Sequence, residues 1–123
     1  MGKPIRRLED LDVWQLAITF AVLIHDLTAR LPLDERFGLI AQMRKASVSI
    51  ASNIAEGYGR QSTGDYLYHL RIAVGENREV FTQLIITCRK RYIAADDPQM
   101  VEAFDTTDRI SQMLYALIRS LGG

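Results

Sequence analysis

Residues 12–31 read DVWQLAITFAVLIHDLTARL. At about 100° per residue, Val13, Leu16, Ala17, Phe20, Ile24, Leu27 and Leu31 fall in one stripe, the pattern of an amphipathic helix. Asp10 or Asp12 is placed to cap its start, and Pro32 marks its end by pushing Leu31 out of helical space. The other flank sets this stretch apart. Trp14, Ile18, Ala21 and Val22 form a second apolar stripe at i, i+4, i+7 and i+8, leaving Gln15, Thr19 and Asp26 in a narrow polar wedge. A helix that is apolar nearly all round has to be covered. Two covers are open: another copy of the chain, or packing within it against Ile5 and Leu8 of the amino-terminal tail or the start of the next helix. Burying one large apolar side chain is worth about 1.5–3 kcal/mol, so this face is sufficient to support association, with closed symmetry as the default.

Three further helices follow. Asp34 and Glu35 open the second, for which Gly57 and Gly59 supply the stop. Ser62 followed by Asp65 resembles a capping box and starts the third. Asp97 then Pro98 is a cap followed by proline at the first helical position, opening the fourth. The spans are about 12–31, 35–57, 63–91 and 98–121. No window alternates apolar and polar residues, so no strand is expected. Connections this short make neighbouring helices antiparallel, which predicts an all-α, up-down-up-down four-helix bundle. Its core stripes are Ile40, Met43, Ser47, Ala51 and Ile54 with Phe37 and Ala55 at the edge; Leu70, Ala73, Val74, Val80, Phe81, Leu84 and Cys88; and Met100, Phe104, Thr107, Ser111, Leu114 and Ile118. The fourth helix turns Glu102, Asp105, Asp108, Arg109 and Gln112 to the opposite side, an ordinary solvated face. The second is rich in small residues (Ala46, Ser47, Ser49, Ala51, Ser52, Ala55), which admit a close helix contact within the subunit or between subunits.

The chain has 123 residues, 48% apolar and 24% charged, with 15 basic and 15 acidic side chains. That predicts one domain with a single core and excludes intrinsic disorder. A lone cysteine, Cys88, excludes an internal disulfide and fits a reducing compartment. Charges interrupt every long apolar run, and Met1–Arg7 carries no apolar leader stretch, so a soluble cytoplasmic protein without a membrane span is expected.

Catalytic chemistry is not signalled. No Glu-x-x-His pair is present for a di-metal carboxylate site, and His25 and His69 sit on different helices without a carboxylate at ligand spacing. Both are expected at a surface or interface, and neither a metal nor a cofactor is expected. Cys88 falls on a core stripe, where a thiol is inert. Gly57-Tyr58-Gly59-Arg60 lacks the Lys-Ser/Thr and the preceding strand of a phosphate loop. Ser62 as a nucleophile has no His-Asp support. Asn77 lies in the middle of the third helix's apolar stripe, where a polar group needs a partner; its expected role is to fix register or oligomer state, with a small-ligand contact second.

Charge is unevenly spread. Residues 36–91 hold nine basic and four acidic side chains, whereas both flanking segments are net acidic. Arg71, Arg78 and Arg89 share one face of the third helix within about 20°, and Lys90 and Arg91 extend the cluster. The bland reading is stabilisation of the helix macrodipole. The functional one is a row of phosphate contacts, joined by Arg60, that binds RNA or another nucleic acid. Zero net charge is a weak footprint for that, although an oligomer would repeat the row.

Leu11-Asp12-Val13-Trp14-Gln15, Phe37-Gly38-Leu39, the run Gln42–Ile50 (QMRKASVSI), and Ser52-Asn53-Ile54-Ala55-Glu56-Gly57 followed by Gly59-Arg60 together resemble the 23S rRNA intervening-sequence protein family, the S23-type four-helix bundle proteins. The likeness spans about residues 8–120. It implies a small bacterial bundle assembled as a homopentamer. It also brings a distant similarity to the accessory protein of diversity-generating retroelements, a basic pentamer that works with nucleic acid. The present chain departs from that relative in being neutral. It also carries Gly75-Glu76-Asn77-Arg78-Glu79 where the family often has serine or alanine and leucine after the glycine. The resulting expectation is a non-enzymatic, self-assembling scaffold or interaction module whose candidate interface is Trp14, Ile18, Ala21 and Val22. The alternatives are a nucleic-acid-binding accessory protein and, last, an enzyme or small-ligand binder, for which only Asn77 and the tyrosines speak.

Overall fold

The structure is a computed structural model that describes residues 4–123; Met1–Lys3, the start of the tail read above as lacking a leader, lie outside the described residues. Four helices follow one another: α1 (Asp12–Thr28), α2 (Leu39–Tyr58), α3 (Thr63–Arg89) and α4 (Pro98–Ser120), with single 3-10 turns at Leu8–Asp10 and Leu33–Glu35. There is no strand among the described residues. Each helix packs along its sequence neighbour and α4 closes back on α1, with α2 against α3 the most extensive contact. This is the expected antiparallel bundle.

Two of the expected caps form. Ser62 Oγ accepts the Asp65 N–H at 3.1 Å, and Asp97 Oδ1 accepts the N–H groups of Gln99 (3.0 Å) and Met100 (3.4 Å), with Pro98 opening the helix. The other two do not. Asp10 turns away from α1 and accepts the N–H groups of Arg6 and Arg7, so Leu11 occupies the cap position and Asp12 is already helical. Asp34 lies in the 3-10 turn, and α2 begins four residues later than expected, after Gly38. Glu35 substitutes from a distance, its Oε1 3.4 Å from the Leu39 N–H.

The α1 helix also stops early, at Thr28, although Leu31 still packs into the core. Arg44 of α2 braces this end. Its guanidinium donates to the Thr28 hydroxyl (2.9 Å) and to the His25 carbonyl (3.2 Å), which also accepts the Ala29 N–H, so one side chain of α2 ties down the last turn of α1. At the far end of α3, Tyr92 N–H bonds to the Thr87 carbonyl and Arg91 N–H to the Cys88 carbonyl, a Schellman closure with Arg91 at φ 61° in the left-handed region.

Phe20, Ile24, Leu27, Met43, Ile50, Ile54, Leu70, Val80, Leu84, Met100, Ile110 and Leu114 are fully buried at the centre. The expected stripe holds in α1 except at Leu16 and is partly rotated in the other helices. Ile50, Ala46, Gln83, Thr87, Ala103, Thr106 and Ile110 join the core, while Leu16, Ile40, Val74, Cys88, Phe104 and Ser111 sit at its edge. Phe81 is 45% exposed and Phe37 83% exposed, so neither is a core residue. Each helix faces two neighbours, so its buried band is wider than a stripe drawn for one, and its centre is set by the pair. Buried hydroxyls are satisfied locally: Thr28, Thr87, Thr106 and Thr107 return to carbonyls three or four residues back on their own helices.

Candidate self-association groove

Trp14, Ile18, Ala21, Val22 and His25 of α1 face Val48, Ala51, Ser52 and Ala55 of α2 across an open groove of about 550 Å³. The walls are large and the floor is small. Ile18, Val22 and Val48 are 40%, 59% and 46% exposed, whereas Ala51 is buried and Ala55 half-buried. Trp14 is half-buried, packed against the core on one side and lining the groove on the other. Ile5 of the tail is itself 50% exposed. The four α1 residues singled out from the sequence thus share one concavity with part of the small-residue run of α2. Val48 was missed, although it precedes Ala51, Ser52 and Ala55 at i, i+3, i+4 and i+7.

The remaining candidate residues lie elsewhere. Arg71, Arg78, Arg89, Lys90 and Arg91 are exposed on α3 and just beyond it, and about 27 Å separates positions 71 and 89 at helical rise. They are not all free. Arg78 donates to the Tyr115 hydroxyl (3.2 Å), the Lys90 ammonium lies 5.5 Å from the Tyr92 ring, and Arg60 pairs with Glu56 at 3.7 Å across one helical turn. Asn77 is buried. Its amide donates to the Thr107 carbonyl of α4 at 2.9 Å, while Oδ1 has no partner. It lines a shallow cleft of about 220 Å³ between α3 and α4 with Phe81 and Phe104, whose rings meet edge-on at 5.7 Å.

His25 is exposed, its Nδ1 2.9 Å from the Ala21 carbonyl. His69 departs from expectation: its side chain is only 12% exposed, with Nδ1 3.1 Å from Asn53 Oδ1 and 4.0 Å from Glu56. The long-range pairing of α2 with α3 brings a carboxylate to it that sequence spacing did not. Gly57 is also more than a stop, since α2 runs through it to Tyr58. A Cβ there would lie 2.8 Å from His69 Cβ and 3.0 Å from the Tyr66 ring, so glycine sets how closely α2 and α3 approach. Burial raises the Cys88 thiol above its ordinary value. Glu76 is also raised, by burial first and then by the like charge of Glu79. Among the described residues, no group of three or more His, Cys, Asp or Glu side chains is placed to hold a metal ion, and no helix is long and apolar enough to cross a membrane.

A family model described as 23S rRNA-intervening sequence protein matches residues 9–116, a span that takes in the groove, α1 to α3 and most of α4. The chain belongs to the 23S rRNA-intervening sequence protein family. A crystal structure from Bacteroides thetaiotaomicron VPI-5482, described as a protein with unknown function from the S23 ribosomal protein family, superposes with a TM-score of 0.79. The two are 28% identical, and the match covers 87% of this chain and 95% of that one. No curated protein matches the chain. The family's fold is therefore the four-helix bundle described above, and the function of this structural neighbour is given as unknown.

Proposed function

We propose that this protein is a non-catalytic, self-assembling module whose α1–α2 groove is covered by a second copy of the chain. The observation that carries the reading is the groove itself: three large apolar side chains on its walls, each 40% exposed or more, over a floor of small residues. A continuous apolar surface rimmed by polar residues marks an interaction site rather than an ordinary solvated face. α3 and α4 also expose Phe81, Ile86 and Val101, but the cleft that Phe81 lines is shared with Arg78 and Asp108 and has no floor of small residues. Closed symmetry is the default for such assemblies, and five copies is the number the family resemblance implies. The test is native mass or multi-angle light scattering at tens of micromolar. Wild-type protein is expected as a discrete oligomer and Val22→Asp as a folded monomer; a wild-type monomer rejects the reading.

A second reading, an RNA-binding accessory role, is supported by Arg71, Arg78 and Arg89 standing exposed on one face of α3. It ranks lower because Arg78 and Arg60 already have partners within the chain. It predicts binding to labelled single-stranded RNA that weakens as salt rises, with a shallower salt slope for the triple alanine variant.

A further inference from the structure

The most exposed large apolar side chains among the described residues lie outside the groove. Phe37 is 83% exposed and Leu33 71% exposed, both on the connection between α1 and α2. This connection is braced. Tyr92 donates its hydroxyl to Glu35 Oε2 at 2.7 Å, the other oxygen of Glu35 lies 3.4 Å from the Leu39 N–H, and the Arg36 guanidinium stacks 4.8 Å from the Phe37 ring centre. The Glu35 carboxylate therefore ties this connection to the α3–α4 connection and to the start of α2. The result is an anchored tip carrying two apolar side chains into solvent.

We infer that this tip is the plug for the groove: Leu33 and Phe37 of one copy seat in the α1–α2 groove of another, with Trp14 as a wall and Ala51 and Ala55 as the floor. The inference rests on the reading that a second copy covers the groove, and it names the segment that does so. The tip cannot fill its own groove. Neither side chain lines the groove of its own chain, and from Leu39 the helix rises about 14 Å to Val48 and about 24 Å to Ala55. The 3-10 turn and the α2 start hold it beyond the groove's near edge. Both halves are preformed, so docking orders little that is not already ordered. A knob and a socket at separate places on one surface make a head-to-tail contact, which closes into a ring when the rotation per subunit allows.

Trp14 is the chain's single tryptophan, so its emission reports on the groove. The experiment compares full-length wild type, a tip variant (Leu33→Ser with Phe37→Ser) and a groove variant (Val22→Asp) by native mass, Trp14 emission and far-ultraviolet circular dichroism. The expected result is an assembled wild type with blue-shifted emission that moves to the red on dilution. Both variants lose assembly, and the tip variant shows red-shifted emission at all concentrations with unchanged helicity. Mixing the two variants restores a complex, because one retains a sound groove and the other a sound tip. A tip variant that still assembles, or disassembles without moving Trp14 emission, overturns the plug while leaving self-assembly intact. A wild-type chain that is monomeric throughout overturns both.

Discussion

Arg30, two residues past the end of α1, grips both carboxylate oxygens of Asp97, with Nη1 to Oδ1 at 2.9 Å and Nη2 to Oδ2 at 2.7 Å. Asp97 is also the cap of α4, so one carboxylate ties the two outer helices of the bundle together and satisfies the N–H groups of Gln99 and Met100. The Arg30 hydrogen bond is the main reason its carboxyl is lowered from 3.8 to about 2. A carboxyl held below its unfolded value contributes stability that is present above the unfolded value and lost as pH falls through the folded one. The melting temperature is therefore expected to fall between about pH 4 and pH 2, and Asp97→Asn is expected to lose part of that acid limb. Arg30→Ala should shorten the same limb from its acid end, because the folded carboxyl rises toward its unfolded value. A thermal melt series from pH 7 to pH 2 checks both, and identical acid limbs in all three proteins refute the linkage.

Gly57 and Gly75 should respond in opposite directions to alanine. At Gly57 the added methyl meets His69 and Tyr66 at 2.8–3.0 Å, and overpacking of this kind costs about 1–3 kcal/mol, more than the gain in helix propensity. At Gly75, on the exposed side of α3, nothing lies within 4 Å of the added Cβ, and alanine should stabilise by about 0.5–1 kcal/mol. Urea melts of the two variants give the sign directly. Equal shifts would mean that Gly57 does not set the α2–α3 spacing.

Arg91 is the only described non-glycine residue with positive φ, at 61°, and it occupies the position where helix ends favour glycine. Arg91→Gly should raise stability by about 0.5–1 kcal/mol, the relief of a left-handed side chain set against the greater chain entropy of glycine. The same variant also tests the basic cluster. If Arg91 contacts nucleic acid, affinity for RNA drops while the melting temperature rises; if its role is confined to the helix end, only the temperature moves.

What the sequence conveyed depended on how local each signal is. Ser62 and the Asp97-Pro98 pair are caps whose partners lie two or three residues away, and both form as expected. Asp34 failed because competing chemistry is distant: Glu35 is held by Tyr92, 57 positions along the chain, in a turn that delays α2 to Leu39. Arg44 was legible only as a charge, since its acceptors belong to the end of another helix. The groove is the intermediate case. Periodicity showed that α1 has a spare apolar flank and that α2 is rich in small residues, but a one-helix pattern gives a face and never the partner opposite it. Pairing Trp14 and Val22 with Ala51 and Ala55 needed the angle between two packed helices.

Asn77 poses a sharper question, because its burial is not free. Its Nδ2 bond to the Thr107 carbonyl contributes about 0.5–1.5 kcal/mol, whereas the orphaned Oδ1 costs about 1–3 kcal/mol, so the residue is close to neutral or net unfavourable for stability. Asn77→Leu should therefore be tolerated or stabilising by up to about 2 kcal/mol, whereas Asn77→Asp, which sets a buried carboxylate against a carbonyl, should cost at least about 3 kcal/mol. What the leucine variant is expected to lose is uniqueness. The Asn77–Thr107 bond is the one buried side-chain hydrogen bond joining α3 to α4 among the described residues, so it fixes the sliding register of two otherwise apolar faces. A broader denaturant transition with weakened near-ultraviolet circular dichroism in a protein that is no less stable is the expected signature. If Asn77→Leu instead destabilises by more than about 2 kcal/mol with a sharp transition, the amide is a net stabilising contact and the register argument fails.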